Sequence, residues 1–588
     1  MRSAPIAAAL LLVACGAARA PEASDDDEAT LTSFHGVSVE VDRSMPEVDA
    51  IGYELDLAVT DSTPGREAYR ATSVGKFVAT KSLGAVTLDF DGNAIESVRV
   101  AMGAGGLAPA PHARRGALLD VTLPRAARSG TAISVEITYK GSFAQADGAN
   151  PDDFAAFGGL MVKQSNTEGR RIFASLGWPS KTRRFMPLRD HPRDGAMVTM
   201  RLAFPAAFTV LANGERKNVE TTGDLRTWQF EALTPMPPYD FHIAAYDRWV
   251  ERHDDAASGV RVTSQMYGRD EQAGRTVTGD LPRALNHMEG VYGPYRFGKT
   301  ASFIEVPIFG GGMEHASVVS LDETLFSAPR DARETAFHEL AHHWSGNLVR
   351  IRTWNDFWLS EGFTDYLTTR IVNQLDGRVA AAKLRAEHLS EALAEDAAHP
   401  LRPGGRDAAS AEVDVLTIFD SVSYKKGART LRMLESIVGE AELSAFLAKW
   451  FARHAFSAVT TMDFEAELSR ETGKDLKSFF DAFVYKTGVP TVDVTLGANA
   501  GGEQELIVTQ SDTDAAFPLE VALSGASNET LRVIVPVRGA RTSHRVVVPF
   551  APTRIVADPD DYLYGLTRCS GVQSCKSQTR CVRELCQP

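Results

Sequence analysis

Residues 336–347 read AFHELAHHWSGN. In an α-helix, positions four apart lie about 40° apart around the axis and one turn apart along it. His338 and His342 can therefore offer two imidazoles to one ion. Glu339 lies about 100° round the same helix, where a carboxylate can reach a water held by that ion. His343 points elsewhere and reads as a packed or partly exposed residue. A catalytic zinc site needs a third protein ligand and one position left open to water. The stretch WLSEGFTDYL offers one: Glu361 follows His342 after eighteen intervening residues. Asp365, four residues further on the same helical face, can accept the outer N–H of a ligating histidine and fix its tautomer. The spacing predicts one Zn²⁺ per chain, held by His338, His342 and Glu361.

Such a site needs two helices packed side by side. Ser327 and Pro329 precede the first, and Gly346-Asn347 close it. The helical period runs from about 270 to 488, as in KKGARTLRMLESIVG. On either side the pattern changes to strands. Ile51, Tyr53, Leu55, Leu57 and Val59 alternate with small or polar residues, as do Ile133, Val135, Ile137 and Tyr139. VDVTL, ELIVT, LRVIVPV and RVVVPF repeat the strand signal after residue 490. The expected fold is multidomain α+β. An antiparallel β saddle or sandwich spans 33–252, a mainly helical catalytic domain 253–489, a small β-sandwich 490–568 and a cysteine-rich tail 569–588.

The chain has 588 residues, 44% of them hydrophobic and 23% charged, ordinary for a globular protein with ample core. The net charge of −14, with no basic stripe, argues against nucleic acid as a partner. No apolar run is long enough for a spanning helix. Residues 1–20 read as a targeting leader, followed by an acidic tether to about residue 32. Leu12-Val13-Ala14-Cys15 resembles the bacterial lipobox, which implies cleavage before Cys15 and a lipid on its thiol. The rival reading is an ordinary signal peptide cut after Ala18-Arg19-Ala20, though Pro21 would obstruct that cut. Either way the chain is expected to be exported to a bacterial envelope, touching a membrane only through the anchor. Cys569, Cys575, Cys581 and Cys586 crowd the last twenty residues. They read as two disulfides of unknown pairing; their spacing fits a zinc knot poorly.

The whole stretch HELAHHWSGNLVRIRTWNDFWLSEGFTDYL resembles the signature of the gluzincin zinc aminopeptidases, the membrane alanyl aminopeptidase, puromycin-sensitive and leukotriene-hydrolase type. Other blocks agree. Phe309-Gly310-Gly311-Gly312-Met313-Glu314-His315 resembles the family's GxMEN motif. Residues 419–427 resemble its FD-x-x-x-Y-x-KG block. RRFMPLRDHP at 183–192 and GVPTVDV at 488–494 are similar to segments flanking its catalytic domain. The likeness runs from about residue 45 to 568.

The resemblance implies a thermolysin-like catalytic domain and a role for each residue. Glu339 is the general base, and the Tyr424 hydroxyl donates to the oxyanion. Glu314 anchors the substrate's free α-amine. Gly310, Gly311, Gly312 and Met313 lay a backbone edge along an extended peptide. The implied substrates are peptides with a free N-terminus. Two departures stand out. His315 replaces the motif's Asn; protonated beside Glu314, it would compete with the amine and give an acid limb near pH 6.5. Trp178 falls near the position where many members carry a Gln or Glu that also grips the amine. Two alternatives remain open: a zinc endopeptidase or other hydrolase on this scaffold, and a non-catalytic surface protein of this fold.

Overall fold

The computed structural model describes residues 31–146, 157–165, 167–513, 515–568, 573–576, 580–582 and 585–587. Cys15 and Cys569 lie outside them, as does the side chain of Cys581.

The N-terminal unit is built on an eight-stranded sheet with strand Val48–Asp61 near its centre, beside a five-stranded and a three-stranded sheet. Tyr53, Leu55, Leu57 and Val59 are buried, as the alternation required. Ile51 is also buried but on a different cluster, with Phe34 and Val41. A register shift between Ala50 and Gly52 turns it to the other face. The sheet is not wholly antiparallel: Ala196–Pro205 runs parallel to Val48–Asp61. The long excursion between those strands allows this, since a parallel pair needs a crossover rather than a hairpin. Leu31–Phe34 pairs with Val37–Glu40 at the point where the acidic tether was expected to end, and residues 1–30 lie outside the described residues.

The expected division at residue 252 falls inside strand Val250–Asp255. That strand pairs with Arg261–Met266 in the next sheet, so it belongs to the second unit. That sheet continues through Thr300–Val306 and Val318–Asp322 to an edge strand, Gly312–Met313. The helices follow: α1 (Glu271–Thr278), α2 (Leu281–Tyr292), α3 (Pro329–Ala341), α4 (Trp358–Asp376), α5 (Arg378–Glu395), α6 (Gly427–Val438), α7 (Glu440–Arg453), α8 (Thr461–Thr472) and α9 (Lys477–Phe483). Every residue of α4 from Trp358 to Thr369 is buried, which makes it the central helix of the unit. α6 crosses it at Gly362 and Gly427. A Cβ on either glycine would sit 2.6–2.7 Å from the other's Cα, so only hydrogens fit there.

Two further sheets, of six and four strands, follow from Thr491. Val492, Val494, Leu506 and Val508 of one and Val521, Leu523, Val535 and Ile555 of the other join the main core. The described residues of the tail join these two sheets. Leu585–Gln587 pairs with Leu566–Arg568 in the first sheet, and Gln573–Ser574 with Arg554–Ala557 in the second. Cys575 and Cys586 form a disulfide between them. Among the described residues, no helix is long and apolar enough to cross a membrane.

Candidate functional site

Helix α3 starts at Pro329, a residue preorganised for the first turn. It ends sooner than the sequence implied: Ala341 is its last residue and His342 its C-cap. One turn still separates His338 from His342, and their Nε2 atoms approach to 3.0 Å. The first turn of α4 brings Glu361 to them, its Oε2 3.3 Å from His338 Nε2 and 3.2 Å from His342 Nε2. Among the described residues that buried oxygen has no hydrogen-bond partner.

Each histidine is oriented from behind. The Nδ1 of His338 lies 2.9 Å from Asp365 Oδ1, and Lys425 Nζ donates to the other Asp365 oxygen at 2.9 Å. The Nδ1 of His342 lies 2.9 Å from the Ser345 carbonyl and 3.1 Å from Thr364 Oγ1. With Nδ1 used as a donor, each Nε2 is left as an acceptor aimed at one point.

The electrostatics of this cluster are unbalanced. Burial opposes a charge on His338, yet Asp365 and Glu361 hold its pKa well above the usual imidazole value. Burial likewise opposes charge on His342, but Glu361 and Glu314 raise it to about 9. Burial works against the Glu361 anion, and His342 and His338 pull its pKa down to about 2. Three carboxylates, Glu314, Glu339 and Glu361, thus crowd two imidazoles and draw protons onto them. A divalent cation supplies the same positive charge without protons. The donor set, two neutral-capable imidazoles and a carboxylate whose inward oxygen lacks a hydrogen bond, fits zinc.

A cleft of about 500 Å³ opens over these atoms. Gly312 on the edge strand passes directly over Glu339: a Cβ there would collide with the Glu339 carboxyl. Burial, partly offset by His338 and His342, raises Glu339 to about 8. Tyr424 sits in a π-helical turn, Val422–Lys426, of the kind that often marks functional positions. Its ring stacks beside His338 with centroids 5.9 Å apart. The Gly362–Gly427 contact fixes this turn against α4, so Tyr424 and Glu361 face one cleft. Glu314 lines the cleft at 5% exposure, and burial raises its pKa.

The sequence-derived residues Gly311, Gly312, Met313, Glu314, His338, Glu339, His342, Glu361, Asp365 and Tyr424 therefore converge on one cleft. His343 does not join them. It is buried behind α3, where Ser317 N donates to its Nε2 at 3.1 Å.

His315 is placed differently from expectation. It is fully buried, its Nδ1 3.1 Å from Ser320 Oγ, and it stacks on His242 at 3.9 Å rather than lining the cleft. Burial and the neighbouring His242 press its pKa well below the usual value. It stays neutral near pH 6.5 and cannot compete there for Glu314. Trp178 does line the cleft, packed on Phe419 at 4.8 Å. The sequence reading missed Tyr239 and Asp240, buried beside Glu314. Burial and then Glu314 raise the pKa of both. Only the turn signature PPYD marks that segment, and turns carry no sign of what they face.

The profile of the Peptidase M1 N-terminal domain matches residues 51–239, and that of the Peptidase family M1 domain matches 280–483. Among curated proteins, the chain is 29% identical to Tricorn protease-interacting factor F2 of Thermoplasma volcanium, over 58% of this chain and 44% of the relative. It is 30% identical to Aminopeptidase M1-D of Oryza sativa subsp. japonica, over 57% and 39%. It is 28% identical to Leucine aminopeptidase 2 of Yarrowia lipolytica, over 59% and 52%. The chain thus spans about half the length of these relatives or less.

Proposed function

Because the chain belongs to the M1 peptidase family, we propose that it is a zinc-dependent aminopeptidase, removing the first residue of peptides with a free N-terminus. The observation that carries this reading is Glu314: a buried carboxylate that lines the cleft beside the catalytic groups and forms no ion pair among the described residues. Leaving such a charge unpaired is unfavourable, and an incoming α-ammonium group would pair it.

His338, His342 and Glu361 would hold the zinc, which when bound polarises the scissile carbonyl and makes water acidic enough to react near neutral pH. Glu339 takes a proton from the attacking water and passes it to the departing amine. The Tyr424 hydroxyl donates to the carbonyl oxygen as it gains charge. Asp365, held by Lys425, keeps His338 in the tautomer that presents Nε2. The edge strand Gly312–Met313 can pair with an extended substrate. With Trp178 in the N-terminal wall, recognition of the amine falls mainly to Glu314. The leader supports export and lipid anchoring at Cys15 in a bacterial envelope.

The test compares a peptide with its N-acetylated twin. Acetylation removes the charge that Glu314 pairs with, so the blocked peptide should be far the poorer substrate. Glu314→Ala should damage cleavage of the free peptide and narrow the gap. Equal cleavage of both by the wild type would instead establish an endopeptidase.

A further inference from the structure

The helical unit bears a second cavity, of about 790 Å³, open to solvent beside Arg378 and Val379. Helices α4, α5 and α6 line it, and residues 559–562 with Lys576 close it from the C-terminal sheets. Its size suits a small-molecule ligand. Seven cationic side chains but four carboxylates face it, in a protein of net charge −14.

The carboxylates are largely committed. Glu435 is held by Arg432 and Arg370, and Arg370 also reaches Glu440. Asp560 takes Arg532 at 2.6 Å. Asp561 is shared three ways: Arg429 at 2.7 Å, Lys576 at 2.7 Å and Arg385 at 3.5 Å. Some cations also have partners outside the cavity wall, Lys576 with Asp558 and Arg532 with Glu520.

Two guanidinium groups remain under-neutralised. Among the described residues Arg385 has only the distant share in Asp561, and its buried Nε makes no hydrogen bond. Burial and the nearby Arg432 push its pKa down, as expected for a cation among cations. Arg378, exposed at the start of α5, forms no ion pair or hydrogen bond among the described residues and acts only at longer range on Glu440 and Asp560. The two lie seven positions apart on α5, on the same face and separated by roughly 10 Å along the axis. Ala382 and Ala386, also in the lining, lie between and beside them. Guanidinium forks match the paired oxygens of phosphate and carboxylate.

We propose that this cavity binds a small molecule carrying two or more phosphate or carboxylate groups, gripped by Arg378 and Arg385. The site is separate from the peptide cleft but shares a wall with it, since His388 lines both.

Calorimetric titration of the zinc-loaded, full-length protein with fructose 1,6-bisphosphate and with tricarballylate, at fixed chloride, tests the proposal. At least one should bind, and which one decides between phosphate and carboxylate. The double variant Arg378→Gln/Arg385→Gln should weaken binding at least tenfold, while Arg125→Gln, an exposed residue of the N-terminal unit, should not. If the double variant does not fold, Arg378→Gln alone, at an exposed position, serves and should still weaken binding severalfold. Binding by neither anion, or affinity unchanged in the arginine variants, would show a purely structural ion network and overturn the site.

Discussion

Four residues of chain lie between Asp356 and Glu361, the centres of two buried polar clusters that behave in opposite ways. At Asp356, just ahead of α4, every demand is met. Its Oδ1 accepts from Arg402 Nε at 2.8 Å and from both N and Oγ1 of Thr461 at 2.9 and 2.8 Å. Thr353 Oγ1 donates to Oδ2 at 2.9 Å. Trp358 Nε1 then bonds Thr461 Oγ1 at 2.9 Å, tying the start of α4 to the cluster. At Glu361 the carboxylate faces two imidazoles that compete for protons, and its inward oxygen makes no hydrogen bond. The first cluster is complete and therefore holds structure. The second, in the function proposed above, would be completed by a cation and a substrate, and it is seated by the first. Buried polar groups left unsatisfied mark where the molecule expects a partner.

That contrast is broken most severely by chemistry at the unsatisfied side. Glu339→Gln should retain zinc, measured by metal analysis, yet lose kcat by several orders of magnitude, because no base remains for the water. Tyr424→Phe should retain both zinc and KM while losing on the order of 10²–10³ in kcat, the size of one oxyanion donor. A rise in KM with kcat intact would make Tyr424 a binding residue instead.

The satisfied side should respond in stability. Arg402→Met strands the Asp356 charge in the interior, and urea unfolding should show a loss of about 3–5 kcal/mol. Glu361→Gln, measured in metal-free protein, should cost less, because Glu314 and Glu339 remain beside the two imidazoles. Equal losses in the two variants would mean that the Glu361 cluster also serves as a structural network.

Much of this was legible in the sequence. Helix periodicity alone puts His338 and His342 on one face, whereas Glu361 returns from a second helix after a connection over 342–357 that includes the short strand Val349–Ile351. Strand alternation located the buried positions of 53–59 and 133–139. What could not be read was contact between elements distant in sequence. Gly362 and Gly427 look like two weak points in helices, yet their meeting sets the depth of the cleft. Ile51 obeys the alternation but a bulge sends it to the other face. His315 seemed to belong to the cleft by adjacency to Glu314, whereas the backbone turns it into the core against His242. The tail cysteines read only as disulfides of unknown pairing, because sequence does not show that strands 573–574 and 585–587 complete two existing sheets.

The stacked pair of histidines gives the smallest and most selective test. Burial depresses His242 to about 3, and burial with His242 presses His315 well below its usual value. The unfolded chain protonates both near pH 6.5, whereas the folded chain resists. Their contribution is therefore fully present above pH 6.5 and is lost as the pH falls toward the folded values, with a limiting slope of about 1.4 kcal/mol per pH unit for each group. His315→Asn removes one such group without changing the cleft lining. Wild type should be the more stable at pH 7.5, and urea midpoints should show the gap closing as the pH drops from 6.5 to 5. The acid limb of kcat/KM should stay in place in the same variant, because His315 is neutral throughout that range and lies off the cleft. A gap independent of pH would mean that the pair is not buried as neutral imidazoles. A displaced acid limb would return His315 to the neighbourhood of the substrate amine.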